Sequence, residues 1–440
     1  MSSTTAPLTS RRLPRGFAAL RHRNYRLFFT GQLISVIGSW MQTTAQSWLV
    51  VSLTASAFKL GLVNVCQFAP VLVLGLVAGV VVDRVPKRTV LLATQSAMAM
   101  LAAILAVLDG TGHVQLWHVY VLGLGLGVVN AFDMPARQAF VVEMVGKDDL
   151  TNAIALNSSI FNMGRLVGPA IAGVLVASFG TAVCFALNAV SFLAVIAGLF
   201  FMRITAVRIE RTGTGLSRLR EGLAYVRATP IVLMTVVMAG FVATFGMNFN
   251  IWVPLLAKQE FAIGADGFGI MLSALGLGSL GGALSLAFFG RGARPGVMLT
   301  TAAALGVAEL LLAITAGVST SIVAALALLP VMGFAMTSTM AMANTTVQLS
   351  TPNEIRGRVL SVYLTVFAGS APFGALVAGA AANQFGVAAS VAIGGMVTLA
   401  TAAAVAAWSG MLRDAVGRLP LLRGGEMPGR VLPTTSTGED

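Results

Sequence analysis

The sequence predicts an all-α polytopic membrane protein with twelve spanning helices arranged as two parallel six-helix halves. Three observations support this prediction. The 440 residues are 57% hydrophobic and only 10% charged, whereas a soluble chain carries about 25% charged residues. Apolar stretches long enough to cross about 30 Å of hydrocarbon recur along the chain. The basic residues are confined to a few short segments between those stretches.

The spans follow one another with short connections. A backbone inside hydrocarbon must satisfy its own hydrogen bonds, so each span is expected to be a helix. In the first half we expect helices at residues 26–53, 59–82, 89–109, 114–138, 151–178 and 182–202. In the second half we expect them at residues 230–257, 267–289, 295–316, 320–347, 358–384 and 387–410.

The placement of basic residues predicts the orientation. With the N-terminus inside, the outer loops hold only Lys59 and Lys258, Arg165 falls within a span, and the other Lys and Arg residues lie on the inner side. This is the positive-inside pattern. We therefore expect a multi-pass protein of the bacterial plasma (inner) membrane with cytoplasmic termini and no cleavable signal peptide. The net charge of +12 is a property of this topology and does not indicate a nucleic-acid partner.

An internal repeat supports two parallel halves. VEMVGKDDLTNAIALN from Val142 corresponds to VQLSTPNEIRGRVLSV from Val347, with an acid, Asp149 or Glu354, just before a helix start. Further on, SFG at 178–180 corresponds to QFG at 384–386. We therefore divide the chain into a basic cytoplasmic tail (1–25), an N-terminal bundle (26–202), a cytoplasmic linker with an amphipathic helix (203–229), a C-terminal bundle (230–410) and a disordered cytoplasmic tail (411–440).

The loop after the second span concentrates charge in an otherwise apolar chain. It reads GVVVDRVPKR and contains Gly79, Asp83, Arg84, Lys87 and Arg88. This loop resembles the signature G-x-x-x-D-R-x-G-R-R of the major facilitator superfamily. The stretches NYRLFFTGQLISVIGSWMQTTAQSWLV, AFDMPARQAFVVEMV and NMGRLVGPAIAG resemble the branch of bacterial drug and metabolite exporters that includes enterobactin exporters.

The resemblance implies a twelve-helix transporter that works by alternating access, often with proton-coupled export. It also implies that Asp83 caps the inner end of the eleventh helix in the outward-facing state, which is favourable because a helix N-terminus carries partial positive charge. Asp133 is the expected partner of Arg84 or Arg88. The full set of expected gating partners is Asp133, Arg137, Glu354 and Arg356. The alternatives are a purely topogenic charge cluster and, for Asp133 and Arg137, a local ion pair.

The fifth span contains a small-residue motif that resembles the antiporter motif of the superfamily. Its members are Gly164, Gly168, Pro169 and Gly173. Small residues let helices approach closely, and proline frees a backbone carbonyl and bends the helix. The motif indicates a bendable helix important for export, and ordinary close packing is the alternative.

Two ionisable residues lie deep in spans. A lone cation at mid-membrane costs at least about 3 kcal/mol, so Arg165 should face a cavity or a partner. Asn162 lies on the same helix face. We expect Arg165 to bind an anionic substrate or modulate a proton site, or else to pair with backbone carbonyls. Glu309 in the ninth span has either a coupling role or the role of a packed, protonated acid.

Polar side chains form a stripe along the first span, with a shorter counterpart in the seventh. We expect both to line the central cavity, because polar groups facing lipid are costly. Hydrogen bonding between helices is the alternative. The residues are Gln32, Ser35, Ser39, Gln42 and Gln46 in the first span, and Phe241, Thr244, Phe245 and Asn248 in the seventh.

No nucleotide-binding, metal-binding or nucleophile motif is present in the sequence. We therefore expect a protein that is not an enzyme and needs no cofactor. The sequence favours a monomeric secondary active exporter in the lipid bilayer, using proton antiport. Its expected substrates are small amphipathic molecules such as drugs or siderophore-like metabolites. An importer or facilitator of a small metabolite with the same fold is the alternative.

Overall fold

The fold is taken from a computed structural model of the chain. The structure describes residues 15–54, 56–146, 148–202, 215–289, 292, 294–352 and 354–417. All regular secondary structure in these ranges is helical, as the sequence predicts. Residues 1–14, 203–214 and 418–440 lie outside the described residues. Of the predicted tails, residues 15–25 are described, and residues 411–417, which we expected to be disordered, continue the last helix.

The helices connect through short turns. A 3-10 turn at Arg15–Arg21 precedes the first helix, and π-helical turns at Leu256–Glu260 and Thr315–Ser319 extend α9 and α11. In chain order the helices are α1 (Arg23–Thr54), α2 (Ala57–Arg84), α3 (Lys87–Gly110), α4 (Leu116–Val145), α5 (Leu150–Phe179), α6 (Thr181–Phe201), α7 (Gly215–Ala228), α8 (Pro230–Phe245), α9 (Phe249–Leu255), α10 (Ala265–Phe289), α11 (Pro295–Ile314), α12 (Ile322–Leu349), α13 (Arg356–Phe385) and α14 (Val387–Gly417).

Eleven of the described helical segments are long and apolar enough to cross a membrane. They are α2 to α6, the combined α8–α9 segment from Pro230 to Glu260, and α10 to α14. The remaining long helix, α1, has 32 residues but is less apolar, because the stripe of glutamine and serine lowers its hydropathy. The protein is thus a multi-pass membrane protein.

The two sequence triplets that match across the repeat mark equivalent helix ends. α5 ends at Phe179 and α13 ends at Phe385. The next residue is in each case a glycine with positive φ, 84° at Gly180 and 88° at Gly386. Glycine adopts this conformation readily because it has no Cβ, which explains why both helices stop there.

The same helix pairing occurs twice in the fold. In the first set, α1 packs against α5 and α6, α2 against α4, and α3 against α4 and α6. In the second set, α8 packs against α13 and α14, α10 against α12, and α11 against α12 and α14. This repeated pairing is the spatial counterpart of the sequence repeat.

Two seams join the sets, α2 with α13 and α5 with α10. Both depend on small residues. A Cβ at Gly61 would lie 2.5 Å from the carbonyl oxygen of Ala375, and a Cβ at Gly173 would lie 2.9 Å from the Cα of Gly269. Helices this close leave no room for a larger residue at either crossing.

The two sets are closed at one end and parted at the other. We call the end that carries residues 83–88 and α7 the basic end, and the end where α1 meets α2 the opposite end. At the opposite end, Lys258 Nζ donates to the carbonyl oxygen of Val51 at 3.2 Å. Toward the basic end, a Cβ added at Gly75 or Gly79 would meet no atom within 4 Å. This face of α2 is therefore uncovered toward the basic end, and we interpret the conformation as open on that side.

The predicted seventh helix is interrupted, which corrects the prediction of one helix over 230–257. α8 ends at Phe245 and α9 begins at Phe249. The Asn248 side chain donates to the carbonyl oxygen of Thr244 at 2.7 Å, so an amide replaces part of the missing backbone ladder. At Gly374 of α13, a Cβ would lie 2.3 Å from that same carbonyl oxygen.

The linker forms a helix where the amphipathic pattern predicts one. α7 packs against α13. Glu221 pairs with Arg358 in the first turn of α13, and the Tyr225 hydroxyl donates to the carbonyl oxygen of Ser350 at 2.9 Å. α7 therefore covers the start of α13 in this conformation.

Candidate functional site

A cavity lies where the two sets of helices meet, about midway along the bundle. Its free volume is about 40 Å³, room for one or two water molecules. Drug-sized ligands need several hundred Å³, so this conformation is not one that encloses such a molecule. The lining residues are Trp40, Thr44, Arg165, Pro169, Met247, Phe249, Asn250, Leu272 and Leu275.

Arg165 supplies the positive charge of this cavity. Its guanidinium carbon lies 5.7 Å from the centroid of the Trp40 ring, a cation–π distance. Its Nη2 lies 3.6 Å from the Met336 sulfur. None of the ion pairs found among the described residues involves Arg165. The prediction that it faces a cavity is consistent with this placement, and the alternative of pairing with backbone carbonyls has no described hydrogen bond to support it.

The small residues around Arg165 fix its position. A Cβ at Gly164 would lie 2.9 Å from Trp40 Cδ1, and one at Gly168 would lie 2.6 Å from Trp40 Cβ. At Gly276 of α10, a Cβ would lie 2.7 Å from the carbonyl oxygen of Arg165. The fifth-span motif thus holds α5 against α1 on one side and α10 on the other. Close packing is the role that these contacts support directly.

Asn162 lies one turn before Arg165 and outside the set of cavity-lining residues. Its Nδ2 donates to the carbonyl oxygen of Ser158 at 3.0 Å. The structure therefore does not bring Asn162 and Arg165 together around the cavity.

The polar stripe of α1 is used mainly for packing between helices. Gln32 Oε1 accepts from Arg137 Nη1 at 2.9 Å, and Gln42 Oε1 accepts from Asn188 Nδ2 at 2.6 Å. The α1 residues that line the cavity lie on a neighbouring face. In this conformation Gln32 and Gln42 make the hydrogen bonds between helices that the sequence analysis gave as the alternative, and their predicted cavity role stays a prediction.

The other stripe residues are also turned away from the cavity lining. Ser39 Oγ donates to the carbonyl oxygen of Ser35 at 2.8 Å, and Ser35 and Gln46 are buried at 4% and 5% exposure. Hydrogen bonding inside the protein therefore satisfies much of the stripe.

The predicted residues of the seventh span lie around a second, smaller space between α8, α13 and α14. Thr244, Phe245 and Asn248 line it together with Trp252 and Ser390. The break itself places Met247, Phe249 and Asn250 in the central cavity, and the sequence analysis missed these three. Phe241 is exposed and stacks on Phe245, with 6.0 Å between ring centroids.

Asp133 lies in a buried polar cluster, and its predicted pairing with Arg84 or Arg88 is not formed in this conformation. It is fully buried and accepts hydrogen bonds from Thr94 Oγ1 at 2.8 Å and Gln95 Nε2 at 2.9 Å. It also pairs with Arg137, four residues later on α4. The local ion pair that the sequence left open as an alternative is therefore the observed arrangement.

The charged loop makes contacts only within its own set of helices among the described interactions. Arg88 Nε donates to the carbonyl oxygen of Leu199 at 2.8 Å, at the end of α6 where carbonyls lack helical partners. Lys87 Nζ lies 3.4 Å from the carbonyl oxygen of Asp83. Asp83 and Arg84 are exposed. The predicted latch belongs to the outward-facing state and is not formed in this conformation.

The expected partners near the start of α13 are placed as follows. Glu354 is exposed, and Arg356 Nη2 donates to the carbonyl oxygen of Thr351 at 3.2 Å. In this conformation the first turn of α13, which the sequence predicts that Asp83 caps, is contacted by α7. Glu309, the second deep ionisable residue, is fully buried on α11 away from the cavity.

Two matching sets of helices that close at one end around a central cavity define a transporter of the major facilitator superfamily, which is not an enzyme. Residues 15–416 match the transmembrane secretion effector family. The chain belongs to that family.

Curated relatives share a quarter or slightly more of their residues with this chain. It is 29% identical to the multidrug efflux pump Tap of Mycolicibacterium fortuitum, over 82% of this chain and 89% of that protein. It is 26% identical to the enterobactin exporter EntS of Salmonella choleraesuis, over 77% and 80%. It is 25% identical to the staphyloferrin A transporter of Staphylococcus aureus, over 58% and 64%, less than two thirds of that relative's length.

Solved structures share the fold at low identity. A bacterial homologue of the human lysosomal transporter Spinster, inward-facing and unoccupied, superposes with a TM-score of 0.66 at 13% identity, covering 92% of this chain and 98% of that one. A POT family transporter in complex with a thioalcohol-conjugated peptide gives a TM-score of 0.71 at 10% identity, covering 89% and 96%. These likenesses show the fold alone.

Proposed function

We propose that the protein is a monomeric secondary active exporter of small amphipathic organic molecules that works by alternating access and proton antiport. The observation that carries this proposal is the geometry around Arg165. An unpaired cation beside an aromatic ring lines a central cavity, in a bundle closed at the opposite end and parted at the basic end. Such a cavity can be exposed to one side at a time.

The proposal includes twelve crossings, with the basic end in the cytoplasm. α1 has 32 residues, about 48 Å of helix. At its start, His22 Nε2 lies 2.8 Å from Asp149 Oδ2 at the basic end. Just beyond its end, Ser56 Oγ lies 3.4 Å from Asn383 Oδ1 at the opposite end. A helix tied at both ends of the bundle supports a full crossing, and the concentration of basic residues supports a cytoplasmic basic end in the bacterial plasma membrane.

The chemistry of the cavity supports amphipathic substrates. The cavity has apolar and aromatic surface at Trp40, Phe249 and Leu272. Its hydrogen-bonding side chains are Thr44 and Asn250. The Arg165 guanidinium adds a donor for a carboxylate or another anionic oxygen. The relatives are a pump for several drugs and transporters of the siderophores enterobactin and staphyloferrin A. An apolar lining with one cation has the chemistry to bind both groups in a conformation in which the cavity is wider.

Proton antiport is proposed as the energy source. The sequence has no nucleotide-binding motif that would indicate a pump driven by ATP. Export against a gradient then needs an ion gradient, and the proton gradient of the bacterial plasma membrane has the required direction.

The test uses energised inverted vesicles that contain the full chain and a pH-sensitive dye. Staphyloferrin A, enterobactin and a macrolide are added one at a time. We expect at least one compound to release protons from the vesicle lumen with the parent protein and not with Arg165→Gln. The matched control is Lys59→Gln, an exposed cation at the opposite end, which should respond like the parent. Uptake of labelled compound into the vesicles without a dye response would refute proton antiport. Movement in the reverse direction would indicate an importer.

A further inference from the structure

Glu309 lies in a site that the proposed substrate path does not use. It is fully buried on α11, and both carboxyl oxygens lack a hydrogen-bond partner. At Gly246 of α8, a Cβ would lie 3.3 Å from Glu309 Oε1 and 2.7 Å from Thr398 Oγ1. The Thr398 hydroxyl of α14 likewise has no hydrogen-bond partner. Three helices thus bring a carboxyl, a hydroxyl and a bare glycine backbone to one point.

The surroundings of Glu309 contain no charge that could balance a carboxylate. α11 packs against α12 and α14, and Gly246 lies at the end of α8. By sequence, α8, α9, α12 and residues 387–410 of α14 contain no Lys, Arg, His, Asp or Glu, and Glu309 is the single such residue of α11. Thr398 is the polar side chain that faces the carboxyl. Lys258 and Glu260 are about 18 Å along the span from Gly246.

A buried carboxylate without a cation or hydrogen bonds is strongly disfavoured relative to the neutral acid. In this conformation the group is therefore suited to hold one proton on a carboxyl oxygen. Loss of that proton would place a negative charge against the backbone at Gly246. A hydrogen bond from the neighbouring Thr398 hydroxyl would offset only part of that cost, so a stable carboxylate also needs water, and entry of water requires the local packing to change.

The packing around Glu309 and Gly246 adjoins the lining of the central cavity. Gly246 immediately follows α8 and begins the break before α9. The next residues, Met247, Phe249 and Asn250, line the central cavity beside Arg165. The Glu309 carboxyl thus lies behind the break, on the side remote from the substrate.

We propose that Glu309 is the proton-binding site of the transport cycle and that its protonation is coupled to the shape of the α8–α9 break. The neutral acid is compatible with the conformation closed at the opposite end. When the opposite end opens, the carboxylate takes up a proton from water on that side, and the neutral acid is carried into the conformation closed there. Substrate that enters from the basic end widens the break, and the proton then passes from the carboxyl oxygen to water on the basic side. This inference rests on the proposed proton antiport, which it deepens by assigning the proton site.

The first test is infrared spectroscopy of the full chain reconstituted in lipid. We expect a carbonyl band of an un-ionised carboxylic acid at neutral pH that is lost in Glu309→Gln. Glu354→Gln, which changes an exposed acid at the basic end, is the matched control and should keep the band. A spectrum in which Glu309→Gln removes no such band would overturn the proposal, because Glu309 would then be ionised.

The second test measures the coupling to conformation. A thiol introduced by Thr44→Cys, in a variant without Cys66 and Cys184, is labelled in intact cells with a maleimide that does not cross membranes. We expect the labelling rate to change by about fivefold or more with pH and to become independent of pH in Glu309→Gln. A pH response that survives Glu309→Gln contradicts the coupling. If Glu309→Gln does not accumulate in membranes, Thr398→Val is measured in its place. Loss of the neighbouring hydroxyl should move the midpoint of the pH response upward. An unmoved midpoint contradicts the proposal.

The two proposals can fail separately. A lost infrared band and a lost pH response in Glu309→Gln, together with no dye response in vesicles, would support the proton site and remove the antiport. A dye response that persists in Glu309→Gln would support antiport and remove Glu309 as its proton site.

Discussion

The tight crossing of α5 and α10 makes a quantitative prediction for Gly173→Ala. The added methyl group would lie 2.9 Å from Gly269 Cα and 3.2 Å from the carbonyl oxygen of Ala265. The shorter distance is about 0.5 Å less than an ordinary van der Waals contact of 3.4 Å. Both neighbours are backbone atoms, so the helices themselves must separate. Overpacking of this kind costs about 1–3 kcal/mol.

This cost falls on the conformation closed at the opposite end, because the crossing opens in the other state. A penalty of about 1–3 kcal/mol shifts the ratio of the two conformations about 5- to 150-fold. We therefore expect the thiol introduced by Thr44→Cys to react faster with external impermeant maleimide when Gly173→Ala is added.

The control for this prediction is Gly75→Ala. It makes the same chemical change in a spanning helix, at a position where a Cβ meets no atom within 4 Å. Its labelling rate should equal that of the parent, with both variants present in membranes at equal amounts. Equal rates for Gly173→Ala and Gly75→Ala would refute the account of the α5–α10 seam.

Two further predictions concern charged residues. Asp133→Asn should lower the thermal stability of the purified protein markedly, because breaking a buried pair leaves the charge of Arg137 unbalanced at a cost of about 3 kcal/mol. The control, Asp83→Asn, changes an exposed position and should unfold at the temperature of the parent. Equal losses of stability in the two variants would contradict the burial argument. Lys258→Met should raise the rate of maleimide labelling of the Thr44→Cys thiol by about 2- to 12-fold. The substitution removes the hydrogen bond to the Val51 carbonyl oxygen, which contributes about 0.5–1.5 kcal/mol to closure. An unchanged rate would show that this hydrogen bond does not hold the opposite end closed.

The helical fold could be predicted from the sequence because apolar length and backbone hydrogen bonding leave few alternatives in a bilayer. The repeat could be recognised in the sequence because α5 and α13 are each followed by a glycine. These glycines, Gly180 and Gly386, both have positive φ. The break in the seventh span was missed. Its flanks are apolar on both sides, and the close approach of α13 to the break depends on Gly374, more than a hundred residues later.

The site was predicted less completely than the fold. Arg165 stood out because a cation deep in a span needs an unusual environment. The role of Gln32 depended on Arg137, which lies 105 residues away and reaches it only after α1 and α4 pack. The partner of Asp133 was ambiguous for a similar reason. Its local partner four residues later and the distant loop arginines are equally available in sequence, and burial at the α3–α4 contact favours the local one.

Conformational exchange between the two ends is tested most directly by distances between spin labels on the reconstituted chain. One pair is placed at exposed basic-end positions, Arg84 and Gly357, and a second pair at exposed opposite-end positions, Lys59 and Gln384. Alternating access predicts that Gly173→Ala lengthens the opposite-end distance and shortens the basic-end distance in the same population of molecules. Distances that change at one end only, or that lengthen at both ends together, would contradict it.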